Sequence, residues 1–207
     1  MTFLGCSLGN AETVDIPDPA KDEQRVDLPK EKKLVVAGGC FWGVEAIFRH
    51  TKGVKHVMSG YTGGTAESAS YDKVSSGKTG HAEAVEITYD PSQITIGQLL
   101  KVFFGVVHNP TELNKQGPDH GTQYRSAVFY ADDNQKNIAA AYITQLDETG
   151  RFGEKIVTTL EPLDKFYPSE PYHHNFVENH PDNPYVMIHD APKLTAFEQT
   201  MKNLYVK

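Results

Sequence analysis

The stretch KLVVAGGCFWGVEAIFRH, Lys33–His50, decides the architecture. Leu34-Val35-Val36-Ala37 is a short apolar run closed by Gly38-Gly39, the pattern of a buried strand. Phe41–His50 then follows with apolar residues at helical spacing, Val44, Ile47 and Phe48. Two glycines at the junction permit a sharp strand-to-helix turn. Cys40 therefore falls at the start of a helix, where free N–H groups and the positive dipole end lower a thiol pKa. The alternative is an inert cysteine buried at a strand end.

Working outward, Val54–Ser59 reads as a second strand and Gly60–Gly80 as a loop rich in Gly, Ser and Thr. Ala82–Tyr89 alternates, with Glu83, Val85, Ile87 and Tyr89 on one face. Thr95 with Gln98 is a capping-box signature opening a helix through Leu99, Leu100, Val102, Phe103 and Val106. His108–Thr122 reads as a long irregular loop, and Ser126–Tyr130 as a strand. Asp132 caps a helix over Asp133–Glu148, stopped by Gly150. Ile156–Leu160 reads as a strand, Phe166–Pro184 as irregular, and Leu194–Tyr205 as a closing helix. Strands alternating with helices in this order predict an α+β fold: a ferredoxin-like, split βαβ two-layer sandwich with an extended irregular C-terminal segment.

Upstream, residues 1–32 read as a tail and 33–207 as a single catalytic domain. Within the tail, Asn10–Lys32 carries Pro17, Pro19, Pro29 and mixed charge, and is expected to be a flexible, solvated tether. Phe3-Leu4-Gly5-Cys6 resembles the end of a lipoprotein signal, with Cys6 the residue to be lipidated. A full signal needs a basic region and 7–15 apolar residues before the cleavage site, and only five residues precede Cys6. Two readings therefore stand: a true start farther upstream with a lipid anchor at Cys6, or an accidental match in an unstructured terminus. Location is correspondingly open between cytoplasm and periplasm.

Of 207 residues, 39% are hydrophobic and 23% charged, which excludes collagen-like and wholly disordered chains. The net charge of −7 argues against nucleic acid as the main partner, since phosphate binding needs a basic face. No apolar run approaches the ~18 residues of a transmembrane span. With Cys6 and Cys40 alone, neither a disulfide framework nor a thiolate zinc site is expected. The nine histidines show no metal-site spacing, so no metal is expected, and no phosphate or dinucleotide loop is present.

Beyond Cys40, Glu83 sits on an apolar strand face. Burial there would raise its pKa and let it hold a proton near neutrality; the alternative is a strand-end acid reaching solvent. Tyr61 and Tyr124 offer neutral hydrogen-bond donors from loops, and Asp119 opens the segment Asp119–Tyr124. Phe41 and Trp42, the only Trp, flank the thiol as core filler or as walls of an apolar pocket.

Four motifs in order carry a resemblance. Gly39-Cys40-Phe41-Trp42-Gly43, Gly60-Tyr61-Thr62-Gly63-Gly64, Gly80-His81-Ala82-Glu83-Ala84-Val85 and Asp119-His120-Gly121-Thr122-Gln123-Tyr124-Arg125-Ser126 are similar to segments of type A peptide methionine sulfoxide reductases. The resemblance spans roughly Lys33 to Val186. It implies a ferredoxin-like α/β core, no metal or organic cofactor, and reduction of the S epimer of methionine sulfoxide, free or in proteins. It assigns Cys40 as the nucleophile that becomes a sulfenic acid, and Glu83 as the acid that protonates the sulfoxide oxygen. Tyr61 and Tyr124 would hydrogen-bond that oxygen, Asp119 would position substrate and water, and Phe41 and Trp42 would hold the S-methyl group.

Many relatives carry a resolving cysteine near the C-terminus, and some carry one three residues after the nucleophile. Here that position is Gly43, and no cysteine follows Cys40. Regeneration is expected from an external thiol (thioredoxin, glutaredoxin with glutathione, or a small dithiol). The alternative is Cys6 returning on its tether, since loop closure costs little more as length grows. Pro118 before Asp119 departs from the family pattern, and Tyr172-His173-His174 resembles its YHQ segment only loosely. The resemblance suggests a monomer.

Overall fold

The computed structural model describes residues 14–25 and 31–207. Cys6, with both readings of its role, lies outside the described residues.

The opening stretch folds as its pattern dictates. Strand β1 (Lys32–Gly38) runs into helix α1 (Phe41–Arg49). Then come β2 (Val54–Thr62), the short helix α2 (Tyr71–Val74), β3 (Ala82–Tyr89) and α3 (Ile96–Val102). Two-residue strands β4 (Lys115–Gln116) and β5 (Asp119–His120) pair as a small hairpin inside the segment expected to be irregular. β6 (Ser126–Tyr130), α4 (Asp133–Thr149), β7 (Thr159–Pro162) and β8 (Phe166–Pro168) follow. α5 (Phe176–Asn179) and α6 (Ala191–Thr200) close the chain.

The result is a mixed α/β fold on a six-stranded sheet of order β7-β6-β1-β3-β2-β8. All pairings are antiparallel except β6 with β7. One face carries Leu34, Val36, Val85, Ile87 and Val128, and packs against Phe41, Val44, Ile47 and Phe48 of α1, Leu99 and Leu100 of α3, and Ile138 and Tyr142 of α4. The opposite face carries small residues, Ala37, Ala82, Ala84 and Ala127 with Phe129, under Leu163 and Phe166. The period-2 alternation of β3 thus sends Glu83 to the same face as Val85 and Ile87, beneath α1. No helix among the described residues is long and apolar enough to cross a membrane.

The caps form as expected. Thr95 and Gln98 make both bonds of a capping box, and Asp132 accepts from the Gln135 N–H. Gly150 ends α4 at φ 64°.

Further expectations need correction: β2 runs on to Thr62, so Tyr61 lies on a strand rather than in a loop. Residues 14–25 are not a solvated tether. Ile16 is 2% exposed within the main core, and the Tyr142 hydroxyl donates to Pro17 O at 2.7 Å. Asp22 and Glu23 accept the Gly97 and Ile96 N–H groups at 2.8 and 3.0 Å. These acids bind orphan amides at the positive end of α3, so composition that reads as solvated is held by a helix terminus. Next, β7 begins at Thr159 rather than Ile156, because the Ile156 and Val157 amides donate to Asp147 Oδ1 and Pro110 O. Finally, the closing helix runs Ala191–Thr200, with Pro in its first turn, and follows a wider turn over Val186–Asp190. Its expected last residues fold back instead, and Tyr205 bridges to Thr51.

Candidate active site

Cys40 is the N-cap residue of α1, half-buried, with a free thiol. The preceding Gly39 sits at φ 92°, and a Cβ there would lie 2.7 Å from Gln116 Cγ. Only glycine fits that turn, which ends β1 and delivers Cys40 to the helix terminus.

The first turn of α1 has neither a side-chain cap nor an acid of its own. Glu83 supplies one from β3: its Oε2 accepts the Phe41 N–H at 3.1 Å. Glu83 is 2% exposed. Burial pushes its carboxyl up to about 8, against the pull of the Phe41 bond and with the help of the Asp119 charge. Glu83 therefore holds a proton at neutral pH.

The thiol behaves differently from the expectation for a helix terminus. The Trp42 N–H pulls the Cys40 pKa down, but burial first, then the charges of Glu83, Asp190 and Asp119, push it well above the ordinary thiol value. Dipole lowering falls off within a turn, whereas dehydration of a thiolate in this cluster is the larger effect.

Tyr61 faces Glu83 in the β2–β3 register and is fully buried, with its ring centroid 5.8 Å from that of Phe41. Its hydroxyl donates to Glu170 Oε2 at 2.8 Å. Tyr124 ends a short helical turn after β5, and its hydroxyl has no protein partner among the described residues. Burial and the charges of Glu83, Asp119 and Cys40 hold its phenol neutral. Asp119 on β5 accepts from the Tyr185 hydroxyl. Trp42 stacks on Phe176 at 3.6 Å and meets Tyr185 edge-on at 5.8 Å. The fold thus gathers all seven residues singled out in the sequence around the N-terminus of α1.

Several residues at the site went unassigned in the sequence. Glu170 takes the Tyr61 hydroxyl and, at 3.0 Å, the Tyr71 N–H. His173 takes the Trp42 indole N–H at 3.0 Å. Glu45 of α1 is buried and accepts the Asn175 N–H at 3.0 Å, at a residue with φ 55°. Asp190 is 2% exposed, its Oδ2 has no partner, and burial raises its carboxyl to about 6. All but Glu45 belong to the segment after β8 or to the turn before α6, where no periodicity marks a role. The only signal was the density of aromatic and His residues in Phe166–Pro184.

A thiol at a helix N-terminus, set against a protonated, buried carboxyl and walled by aromatic rings, is the arrangement a cysteine-based enzyme would need, here on a mixed α/β sheet. Comparison with known proteins specifies which one: the chain belongs to the peptide methionine sulfoxide reductase family, whose model matches residues 32–205, and it is an oxidoreductase. It is 51% identical over 186 residues to peptide methionine sulfoxide reductase MsrA 2 of Synechocystis sp., covering 89% of this chain and 87% of the relative. It is 52% identical over 177 residues to MsrA 2 of Mesorhizobium japonicum, covering 86% and 91%. Among solved structures it is similar to reduced Mxr1 of Saccharomyces cerevisiae, with TM-score 0.67 and 35% identity over 74% of this chain and 88% of that one. Methionine sulfoxide reductase A of Corynebacterium diphtheriae aligns with TM-score 0.64 and 32% identity over 75% and 77%.

Proposed function

We propose that the chain reduces the S epimer of methionine sulfoxide, free and within proteins, through a sulfenic acid on Cys40. The observation that carries this reading is the bond from the Phe41 N–H to Glu83, which sets a neutral carboxyl beside the nucleophile. In the first step Glu83 gives its proton to the sulfoxide oxygen while Cys40 Sγ attacks the substrate sulfur. The oxygen passes to Cys40, methionine leaves as the thioether, and the thiol proton returns to Glu83. The enzyme sulfur is oxidised and the substrate sulfur reduced, with no net proton change. A thiol held protonated at rest suits this exchange, because the acid that loses a proton is the base that recovers one.

Tyr124, whose hydroxyl is unengaged, donates to the oxygen. Tyr61 joins it by exchanging its Glu170 partner for substrate. Asp119, braced by Tyr185, positions substrate and water. Phe41 and Trp42 hold the S-methyl group. In the second step two external thiols, from thioredoxin, glutaredoxin with glutathione, or a small dithiol, convert the sulfenic acid to thiol, releasing water and a disulfide. We also read the four central strands as a ferredoxin-like, split βαβ unit; the order β6-β1-β3-β2 around α1 and α3 supports it.

The test is turnover of separate S and R epimers of a blocked methionine sulfoxide with dithiothreitol, comparing wild type and Cys40→Ser. S-epimer turnover lost in the variant is expected. No turnover of either epimer by wild type would refute the reading.

A further inference from the structure

Asp190 occupies the N-cap position of α6, where an aspartate ordinarily accepts an amide of the following turn. Its side chain makes no such bond, and Pro192, in that first turn, has no N–H to give. The carboxylate turns instead toward α1. A Cβ at position 43 would overlap its Oδ1, so the carboxylate lies against Gly43 in the first turn of α1, in room that only glycine leaves. One residue earlier is the Trp42 N–H that acts on the Cys40 sulfur. Asp190 is 2% exposed, and its Oδ2 has no partner among the described residues. A buried carboxylate that forgoes its helix cap and gains no replacement costs stability. That cost falls at the terminus that presents the nucleophile. The titratable groups facing Asp190 are Cys40 of α1, Asp119 of β5, Tyr185 of its own segment and Lys193 of α6. The Tyr185 hydroxyl already donates to Asp119, which leaves the Cys40 thiol as the proton donor that the carboxylate faces at the site.

We propose that Asp190 is the general base for Cys40 in the reductase reaction: directly or through one water, it takes the thiol proton as Sγ attacks the sulfoxide sulfur. The S–H bond breaks, the sulfur's electron pair forms the bond to the substrate, and the proton goes to Asp190. Glu83 protonates the sulfoxide oxygen in the same step. Once the oxygen has passed to Cys40 and methionine has left, the proton on Asp190 moves to Glu83, and both carboxyls are restored. The substrate sulfur is reduced and the Cys40 sulfur oxidised, with no net proton change. Two carboxyls in different surroundings thus divide the roles of acid and base. Burial raises Asp190 to about 6, against the pull of the Lys193 charge and with the help of Asp119, so it is a carboxylate at neutral pH. Glu83, held at about 8, keeps its proton there, and the final transfer from Asp190 to Glu83 is downhill. Transfer from the thiol is uphill at rest, so Cys40 stays protonated until an electrophilic sulfur takes its electron pair. The inference rests on the reading of Cys40 as the nucleophile, and it names the route by which the thiol proton reaches Glu83.

The experiment compares wild type with Asp190→Asn, which keeps the shape of the side chain but cannot take a proton, and with Asp190→Ala, which removes it. The readouts are single-turnover methionine release from a blocked S-sulfoxide without reductant, followed across pH and sulfoxide concentration, and a thermal melt. The wild-type rate should also fall below about 6, closing on its acid side the plateau that Glu83 ends on the alkaline side. Asp190→Asn should lose about 10²-fold of the saturating rate at neutral pH, lack the acid-side fall, and half-saturate at a similar sulfoxide concentration. Asp190→Ala should behave alike. Both should melt at or above the wild-type temperature at neutral pH, because a buried unpaired charge is gone. An unchanged rate in either variant would overturn the inference, as would a wild-type profile with no acid-side fall. A reduced rate that keeps that fall would overturn it too, since the titrating group would then be another. So would a lowered melting temperature with an unaltered profile, which would assign Asp190 to holding the turn before α6. Failure of the reaction reading is seen separately, as absent turnover of either epimer by wild type.

Discussion

The backbone N–H of Phe41 donates to Glu83 Oε2 at 3.1 Å, so the acid from β3 doubles as the missing cap of the helix that presents Cys40. The carboxyl's place relative to the thiol is therefore set by backbone rather than by a flexible contact. Glu83→Gln retains an acceptor for Phe41 but has no proton of carboxylic acidity to give. Turnover of the S-sulfoxide should fall on the order of 10²- to 10⁴-fold with little change in KM. Steady-state kinetics of the variant, with Cys40 alkylation to confirm an intact site, checks this.

Because Glu83 is held up at about 8, the sulfoxide-reduction step should lose rate as pH rises through about 8. Single-turnover methionine release, measured without reductant from well below to well above the Glu83 value of about 8, isolates that step. A plateau below that pH and a fall above it is expected.

The same shift makes a stability prediction of defined sign. Between the ordinary carboxyl pKa of 4.5 and about 8, folded Glu83 keeps a proton that the unfolded chain releases. Stability therefore falls as pH rises through that window, by up to about 1.4 kcal/mol per pH unit. Glu45, raised to about 7, adds in the same direction. His108 acts oppositely: burial lowers it to about 3, so its contribution is lost as pH falls below the ordinary imidazole range. Glu83→Gln should be less active yet more stable than wild type at pH 8, with the gap closing toward pH 5. Denaturant melts at both pH values decide it.

Gly43 lies under the Asp190 carboxylate: a Cβ at position 43 would stand 2.3 Å from Asp190 Oδ1. Gly43→Ala should destabilise the fold by about 1–3 kcal/mol, the range for overpacking a full site. Adding Asp190→Ala should recover part of that loss, a coupling that thermal melts of the two single variants and the double variant would measure. By the same geometry, Gly43→Cys should not install a working internal thiol unless Asp190 is shortened as well.

Ile16 packs into the main core from the N-terminal segment. Ile16→Ala should cost about 2–4 kcal/mol, as for other large-to-small core changes, while leaving KM unchanged. A solvated tether would show no loss, so a single unfolding curve separates the two descriptions.

Much of this was legible along the chain because the signals are local. Alternation over Ala82–Tyr89 placed Glu83 on the buried face, and Thr95 with Gln98 located the start of α3. Gly38-Gly39 before Cys40 marked the strand-to-helix turn, and four ordered motifs named the family. These readings rest on periodicity, capping and turn chemistry, which depend on neighbours a few residues away.

Other features depend on groups distant in sequence. The Cys40 thiol is pushed up rather than down first because the fold buries it, and then because Glu83, Asp190 and Asp119 converge on it from three separate elements. Asp22 and Glu23 look like tail residues until the amides of α3 reach them. Glu170 and His173 carry no periodic signal, and only the return of the chain past β8 brings them to Tyr61 and Trp42. Sequence alone determined the main strands and helices and singled out the candidate residues, since both follow from local patterns, whereas β8 forms only through its long-range pairing with β2 and the strands of the β4–β5 hairpin are too short to show a pattern. Tertiary structure alone decided the protonation of the thiol and the partners of the site's hydroxyl and indole, since burial and charge act through space.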